Sequence, residues 1–167
     1  MNTGTDTART FDESRKAFVE KIKAYMARKN VTRTGFGRDA LRDGRFVGRV
    51  LGGSDVRLRT ADKVLAHMGL EPVGRRFLKE IKAFLKVTRT KSYVFGEEAM
   101  SDPTFVLKLE RGRSPTFRTF DRVRAYMTDK SSAAEREAVR AAVEDGATAV
   151  PVGRAKRRRG RCKSTST

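Results

Sequence analysis

The sequence predicts an all-α protein built from two successive helical bundles, and two observations support this fold class. Apolar residues recur at the three- and four-residue spacing of amphipathic helices, and no segment alternates long enough to form a sheet. The chain also matches itself without a gap when Phe18 is aligned with Phe77. Its 167 residues suffice for one ordinary domain or two small ones. We divide the chain into a disordered N-terminus over 1–9, a first bundle over 10–72, a second over 73–130, a further helix over 131–146 and a disordered basic tail over 147–167.

The internal repeat matches residues 18–68 with residues 77–127, and we call the constant shift between them the repeat offset. About a third of the positions are identical, as expected for two copies of one packed unit. An ungapped register of this length is not expected from biased composition alone. The identical pairs are mostly apolar or glycine and include Phe18/Phe77, Phe36/Phe95, Gly37/Gly96, Gly53/Gly112 and Val64/Val123.

Capping residues and glycines delimit four predicted helices in the first unit. An apolar stripe from Phe11 to Met26 predicts a first helix of roughly five turns. Gly52 and Gly53 are expected to end the third helix, because glycine accepts the left-handed conformation found at helix C-termini. The expected caps of the second, third and fourth helices are Thr32, Asp43 and Thr60.

The second unit carries the same signals, and one more helix follows it. Asp102 before Pro103 predicts the start of a helix, since proline at the first helical position loses no hydrogen bond. Thr119 is expected to cap the last helix of this unit. Ser132 and Glu135 have the spacing of a capping box, which predicts a helix over 132–145. Its apolar side is mostly alanine, so it lies across a domain or pairs with a second chain.

The net charge of +18, from 38 Lys+Arg against 20 Asp+Glu, calls for an anionic partner. Part of the excess lies in the tail, but the rest of the chain is basic as well. A membrane surface is disfavoured, because the tail offers few bulky apolar residues and no apolar run approaches the ~18 residues of a membrane span. The basic residues of the tail are Arg154, Lys156, Arg157, Arg158, Arg159, Arg161 and Lys163.

Side chains that carry catalysis or bind metals are scarce. The single cysteine, Cys162, excludes an intramolecular disulfide and a multi-cysteine metal site. The single histidine, His67, is expected at the surface or core edge, because its counterpart in the repeat is Tyr126. We therefore predict a protein that is not an enzyme and that needs no cofactor or metal.

Residues 28–70 resemble the lambda-repressor-like helix-turn-helix family, also called the Xre or Cro type. Phe36-Gly37 occupies the place of the family's Leu-Ala in the first motif helix. The separation of Gly37 from Gly53 matches the family's distance to the glycine after the recognition helix. The first copy departs from the pattern at Leu51-Gly52-Gly53-Ser54, where the family has Glu-Arg-Gly and a proline.

The second copy resembles the family more closely. Gly96 and Gly112 keep the same separation, and residues 110–115, Glu-Arg-Gly-Arg-Ser-Pro, are similar to the family's Glu-Arg-Gly-Lys/Arg-x-Pro ending. In both copies the glycine usual at the turn is replaced, by Leu41 and by Met100. The two copies together cover about 110 residues, and the resemblance implies two tandem DNA-binding bundles.

A unit of this type presents one helix end to the DNA major groove, which is about 12 Å wide. Arg45 is the strongest candidate for base contact, because arginine bonds bidentately to guanine. The exposed positions after the caps give the base-contacting candidates Arg45, Gly48, Arg49, Thr104 and Lys108.

Phosphate contacts are expected from the start of the preceding helix, from the segments after the recognition helices and from the tail. The N–H groups at a helix start favour anions. The phosphate-contacting candidates are Thr32, Arg33, Thr34, Arg57, Arg59, Lys91, Ser92, Arg111, Arg113, Ser114, Arg118, Arg154, Lys156, Arg157, Arg158, Arg159 and Arg161.

Alternative roles for these residues stay open. A charged helix face is usually only a solvated face. Phe46 and Phe105 have the spacing of core residues, although intercalating wedges are the alternative. A basic tail resembles a nuclear localisation signal, but the family is bacterial and phage, so an arm along the DNA backbone is favoured.

The sequence thus predicts a cytoplasmic, nucleoid-associated transcriptional regulator, a repressor by resemblance, of bacterial or phage type. Its predicted partner is double-stranded DNA, with a homodimer partner or a regulatory protein as a further possibility. The alternatives are a protein-interaction module, such as an antiactivator on the same scaffold, and a non-specific nucleoid or RNA-binding protein.

Overall fold

The computed structural model describes residues 13–145, and over that range the protein is all-helical, as predicted. The predicted N-terminus, Phe11 and the basic tail lie outside the described residues. Within 13–145 the only β-type pairing is a single antiparallel bridge between Arg57 and Thr116. The helices are α1 (Glu13–Lys29), α2 (Arg33–Leu41), α3 (Phe46–Leu51), α4 (Leu58–His67), α5 (Val73–Val87), α6 (Ser92–Met100), α7 (Phe105–Glu110), α8 (Phe117–Lys130) and α9 (Ala133–Asp145).

Helix bounds recur at the repeat offset found in the sequence. Helices α2 and α6 begin and end at equivalent residues of the repeat, and so do α3 and α7. Helices α4 and α8 also begin at equivalent residues. We call α1–α4 the first unit and α5–α8 the second unit.

Residues with left-handed backbone recur at the same offset. Asn30 and Arg89 lie just after the first helix of each unit, with φ of 50° and 54°. Arg42 and Ser101 form the turn before the third helix, with φ of 59° and 53°.

The predicted caps of α2 and α9 are confirmed, but those predicted for α4 and α8 are wrong. The Thr32 hydroxyl accepts a hydrogen bond from the Gly35 amide. Helices α4 and α8 begin at Leu58 and Phe117, so their caps are Arg57 and Thr116, not Thr60 and Thr119. The amide of Thr60 donates to the Arg57 carbonyl, and that of Thr119 donates to the Thr116 hydroxyl. Both predicted caps therefore lie inside the helix.

Helices α3 and α7 begin later than predicted. Their cap positions are Arg45 and Thr104, not Asp43 and Asp102. The two aspartates lie two residues earlier, and their carboxylates accept hydrogen bonds from the amides of those cap residues. A turn therefore separates each aspartate from its helix, and Pro103 lies in this turn instead of at the first helical position.

Aromatic side chains form the same cluster in both units. The Tyr25 and Phe36 rings lie 5.6 Å apart, and the Phe36 and His67 rings also lie 5.6 Å apart. The matching cluster of Phe84, Phe95 and Tyr126 has centroid distances of 5.6 Å and 5.4 Å for the equivalent pairs. His67 is exposed at the edge of its cluster. Phe46 and Phe105 are buried, which confirms their assignment to the core.

The two units exchange helix contacts. Helix α1 of the first unit packs on α8 of the second, and α5 of the second packs on α4 of the first. The Phe18 and Phe117 rings lie 5.2 Å apart between the units. The buried apolar residues of both units form one continuous cluster. The units therefore share a core.

A short backbone contact joins the units, and we call its residues, 56–58 and 115–117, the seam. The Leu58 amide donates to the Pro115 carbonyl at 2.8 Å. The Phe117 amide donates to the Val56 carbonyl at 3.0 Å. Because these four residues are related in pairs by the repeat offset, each bond is the counterpart of the other.

Helix α9 packs along α5 in the same chain. Its capping box forms as predicted, because the Ser132 amide donates to the Glu135 carboxylate and the Glu135 amide donates to the Ser132 hydroxyl. Val143 is buried. None of the helices described over 13–145 is long and apolar enough to cross a bilayer.

Candidate nucleic-acid interface

The start of α3 is organised by Asp43. Its carboxylate accepts hydrogen bonds from the Arg45 amide at 3.0 Å and from the Arg49 guanidinium at 2.5 Å. The bond from Arg49 is the main cause that lowers the pKa of the Asp43 carboxyl, and the Arg45 amide adds to it. Asp43 thus fixes the turn before α3 and also engages one of the candidate base-contacting side chains.

Asp102 has the same role before α7. Its carboxylate accepts bonds from the Thr104 amide at 3.1 Å and from the Lys108 ammonium at 2.6 Å. The Thr104 hydroxyl also donates to it. The Lys108 ammonium and the Thr104 hydroxyl lower the pKa of the Asp102 carboxyl to about 2. This carboxyl group is therefore ionised throughout the physiological range.

Arg45 differs from the other cations proposed for base contact. Its side chain is exposed, and no ion pair in the described part of the chain engages it. Its guanidinium is therefore available to an external acceptor. Gly48 is exposed one turn along the helix, and apart from its neighbours in the chain and the backbone of its own helix no atom lies within 4 Å of the position that a Cβ would take there. Thr104, the counterpart of Arg45, is exposed as well.

Close backbone approach holds α2 against the start of α3. A Cβ added to Gly37 would overlap the Asp43 carbonyl oxygen. In the second unit, a Cβ added to Gly96 would overlap the Asp102 carbonyl oxygen in the same way. Only glycine fits at these two positions, which explains its identity in both copies.

Arg38 lies beside the candidate helix end, although the sequence analysis did not single it out. A Cβ built on Gly44 would lie 2.9 Å from the Thr34 methyl group and 3.5 Å from Arg38 Nε. Arg38 is exposed and follows Thr34 by four residues, so the two share one face of α2. That spacing next to a predicted phosphate-contacting residue is the signal that could have identified Arg38.

The predicted phosphate-contacting residues within 13–145 are exposed, except for half-buried Ser114. At the start of α6, the Lys91 ammonium lies 6.0 Å from the centroid of the Tyr93 ring. Helix α6 has no side-chain cap comparable to Thr32, because its cap residue is Lys91. The predicted contacts Arg154, Lys156, Arg157, Arg158, Arg159 and Arg161 lie outside the described residues.

Several of these polar residues lie beside the seam. The Arg59 amide donates to the Ser114 hydroxyl at 2.8 Å, so two candidate phosphate contacts from different units lie side by side. Arg57 of the first unit lines a cleft of about 270 Å³ together with Asp102, Lys108 and Arg113 of the second. Positive charge therefore gathers next to α7 from both units, in line with a polyanionic ligand.

Two large apolar side chains are exposed near the start of α6 and on α7. Tyr93 is 55% exposed and Leu107 is 44% exposed, against Thr34 and Gly48 at the equivalent positions of the first unit. Leu107 suits contact with a thymine methyl group, which is apolar. The same exposure is also typical of a protein-contacting surface.

No protein-family model, curated protein or solved structure matches the chain.

Proposed function

We propose that the protein is a sequence-specific transcriptional regulator that binds double-stranded DNA through two helix-turn-helix motifs, α2–α3 and α6–α7. It would act in the cytoplasm on nucleoid DNA. The observation that carries this proposal is the arrangement before each short third helix. A left-handed residue turns the chain, an aspartate orders the next turn, and exposed polar side chains lie beyond it.

Charge and chemistry support the same function. The chain carries +18, and exposed arginines lie on or beside both helix pairs. Arginine and lysine bind phosphate without regard to sequence, while an unengaged arginine at a helix end can distinguish guanine. Arg45 combines these requirements in the first unit. Thr104 and Leu107 offer contacts suited to other bases in the second.

The direct test is in vitro selection of bound sequences from a random duplex library by the full-length chain near physiological salt. We expect one defined motif to be enriched, and Arg45→Ala to reduce enrichment at one position within it. Tight binding with no enriched motif would instead indicate a charge-driven nucleoid or RNA-binding protein. Affinity measured for duplex DNA and for RNA would separate those two.

A protein-interaction module is the second candidate, and the exposure of Tyr93 and Leu107 favours it. An antiactivator with these residues in its docking surface would bind DNA only weakly, through its positive charge, and would enrich no motif. The selection experiment distinguishes the two functions, because only the DNA-binding regulator yields a motif. Tyr93→Thr with Leu107→Gly would install the residues of the first unit and should abolish docking of a protein partner.

A further inference from the structure

We infer that one chain binds an imperfect inverted repeat in DNA, with one unit on each half and the seam at the centre of the site. This inference rests on the proposed function and specifies the kind of site it requires. The sequence repeat alone is equally compatible with a direct repeat, since tandem order along a chain does not fix orientation in space. The orientation comes from the seam.

The seam has the reciprocity of a two-fold axis. Leu58 donates to Pro115, and Phe117, the counterpart of Leu58, donates to Val56, the counterpart of Pro115. Arg57 and Thr116, which are also counterparts, form the bridge between them. A contact in which each residue meets the equivalent of its partner is isologous and is produced by two-fold rotation. Head-to-tail stacking of the units would not give this exchange.

Packing fixes this relationship in the folded chain. The inter-unit pair Phe18 and Phe117 and the seam residue Leu58 are 3%, 2% and 1% exposed. Each unit also places its first helix on the fourth helix of the other. Turning one unit to suit a direct repeat would expose these apolar side chains to water, which opposes the rearrangement. Helices α3 and α7 are therefore held as two-fold partners.

A two-fold pair of recognition helices selects inverted half-sites. The two strands of a duplex run in opposite directions, so a protein dyad aligned with a DNA dyad presents the same helix to the same sequence on opposite strands. Dimeric regulators achieve this with two chains, at half-sites about one helical turn apart. Here both hydrogen bonds of the seam form within one chain, so α3 and α7 are paired without a second copy of the protein.

The two halves of the site must differ, because the equivalent side chains differ. Arg45, suited to guanine, is replaced in the second unit by Thr104, and Gly48 is replaced by Leu107. Threonine and leucine both offer apolar contact to a thymine methyl group. We therefore expect a guanine-containing half under the first unit and a thymine-containing half under the second.

The first test uses the full-length chain and three duplexes made from the selected motif. One keeps the motif, one has a single half reversed into a direct repeat, and one separates the halves by about 5 base pairs, half a helical turn. We expect the last two to bind at least about tenfold more weakly, since each loses the base contacts of a whole unit. Sedimentation should give one chain per duplex. Equal binding to the direct repeat, or two chains per site, would overturn the inference.

The second test makes the two units more alike. Thr104→Arg with Lys108→Arg reproduces the first unit's Asp43, Arg45 and Arg49 around Asp102, and both positions lie at the surface or are half-buried. We expect the second half of the selected motif to shift toward the inverted copy of the first. Ala27→Arg is the control, because it adds positive charge at an exposed position on α1 and should leave the motif unchanged.

These tests separate failure of the inference from failure of the proposed function. A motif that is a direct repeat or a single half-site keeps sequence-specific binding but overturns the inverted repeat. A shift of the double variant toward a direct repeat would do the same. Absence of any motif, or of any DNA binding, overturns both the proposed function and this inference.

Discussion

The Arg49 guanidinium lies 2.5 Å from the Asp43 carboxylate, so the aspartate that orders the turn before α3 engages a side chain that the sequence assigns to DNA. Lys108 has the same relationship to Asp102 at 2.6 Å. Of the three cations proposed for base contact, Arg45 alone has no ion pair within residues 13–145. To contact a base, Arg49 or Lys108 would have to leave its aspartate or to bind the base and the aspartate at the same time. Arg45 is therefore a stronger candidate for base contact than Arg49 or Lys108.

Arg45→Ala should weaken binding to the selected site by about 1–3 kcal/mol and relax the preference at one base pair. Binding to random DNA should fall much less, because the other positive charges remain. Titration of both DNAs with wild-type and variant protein measures the difference. Lys63→Ala is the charge-matched control, since Lys63 is an exposed cation outside the candidate residues. Equal losses on both DNAs from Arg45→Ala would argue against sequence recognition by α3.

Local signals predicted much of the fold. The Thr32 cap and the Ser132–Glu135 box involve residues within one helical turn, so their chemistry is legible in the sequence. The caps of α4 and α8 were misplaced because the seam determines where these helices begin. Leu58 is held by Pro115 and by the core, and neither contact is local. Thr60 is of a residue type that often caps helices, but it consequently lies inside the helix.

The sequence predicted that the arginines after Asp43 are exposed, but it did not predict how they are arranged around that aspartate. Exposed arginines after Asp43 follow from the apolar pattern of α3. The Arg49–Asp43 pair spans six residues, which is not a helical contact spacing, so no helix rule predicts it. The two-fold relation between the units was also beyond prediction, because it depends on backbone bonds between segments far apart in the chain.

Gly37→Ala should lower the free energy of unfolding by about 1–3 kcal/mol, the usual cost of overpacking. The added methyl group would overlap the backbone of Asp43, which has no side-chain freedom to yield. Gly96→Ala should behave alike, because it meets Asp102 in the same way. Urea unfolding of each variant provides the measurement.

Gly48→Ala is the matched control for these two variants. It lies inside α3, and its added methyl group would have no atom within 4 Å other than those of its chain neighbours and of the backbone of α3 itself. Replacing glycine by alanine in an open helical position should raise the free energy of unfolding by about 0.5–1 kcal/mol. If Gly37→Ala and Gly48→Ala shifted stability in the same direction, the close approach of α2 to Asp43 would be contradicted.

The titration of Asp102 should reveal its contact with Lys108. The pKa of its carboxyl is lowered from 3.8 to about 2, so the ionised group stabilises the fold fully above pH 4. That contribution decreases as pH falls from about 4 toward 2, because the carboxylate protonates first in the unfolded chain. Carbon NMR of the carboxyl group should give a midpoint near 2 in the wild type.

Lys108→Ala should raise the midpoint of Asp102 toward its ordinary value, since the Lys108 hydrogen bond is the largest cause of the shift. Lys82→Ala should not, because Lys82 pairs with Glu110 at 2.8 Å. A wild-type midpoint near 3.8 would show that the ion pair is absent in solution. It would also restore Lys108 to the same standing as Arg45 as a free cation at the candidate interface.

Deleting residues 147–167 should weaken binding to every DNA sequence by a similar factor. The segment carries seven basic residues and no acidic one, and contacts from these residues to phosphate would add affinity without sequence information. If all seven contact phosphate, the slope of log K on log salt should fall in magnitude by as much as ~6, at about 0.9 per contact. Affinities of the full-length and shortened chains at several salt concentrations, on selected and random duplexes, measure both effects.

Substituting the seven basic residues of the tail by glutamine in the full-length chain should give the same result without shortening it. Unchanged affinity and slope would show that DNA binding does not use the tail, whereas loss confined to the selected duplex would assign it a role in sequence recognition.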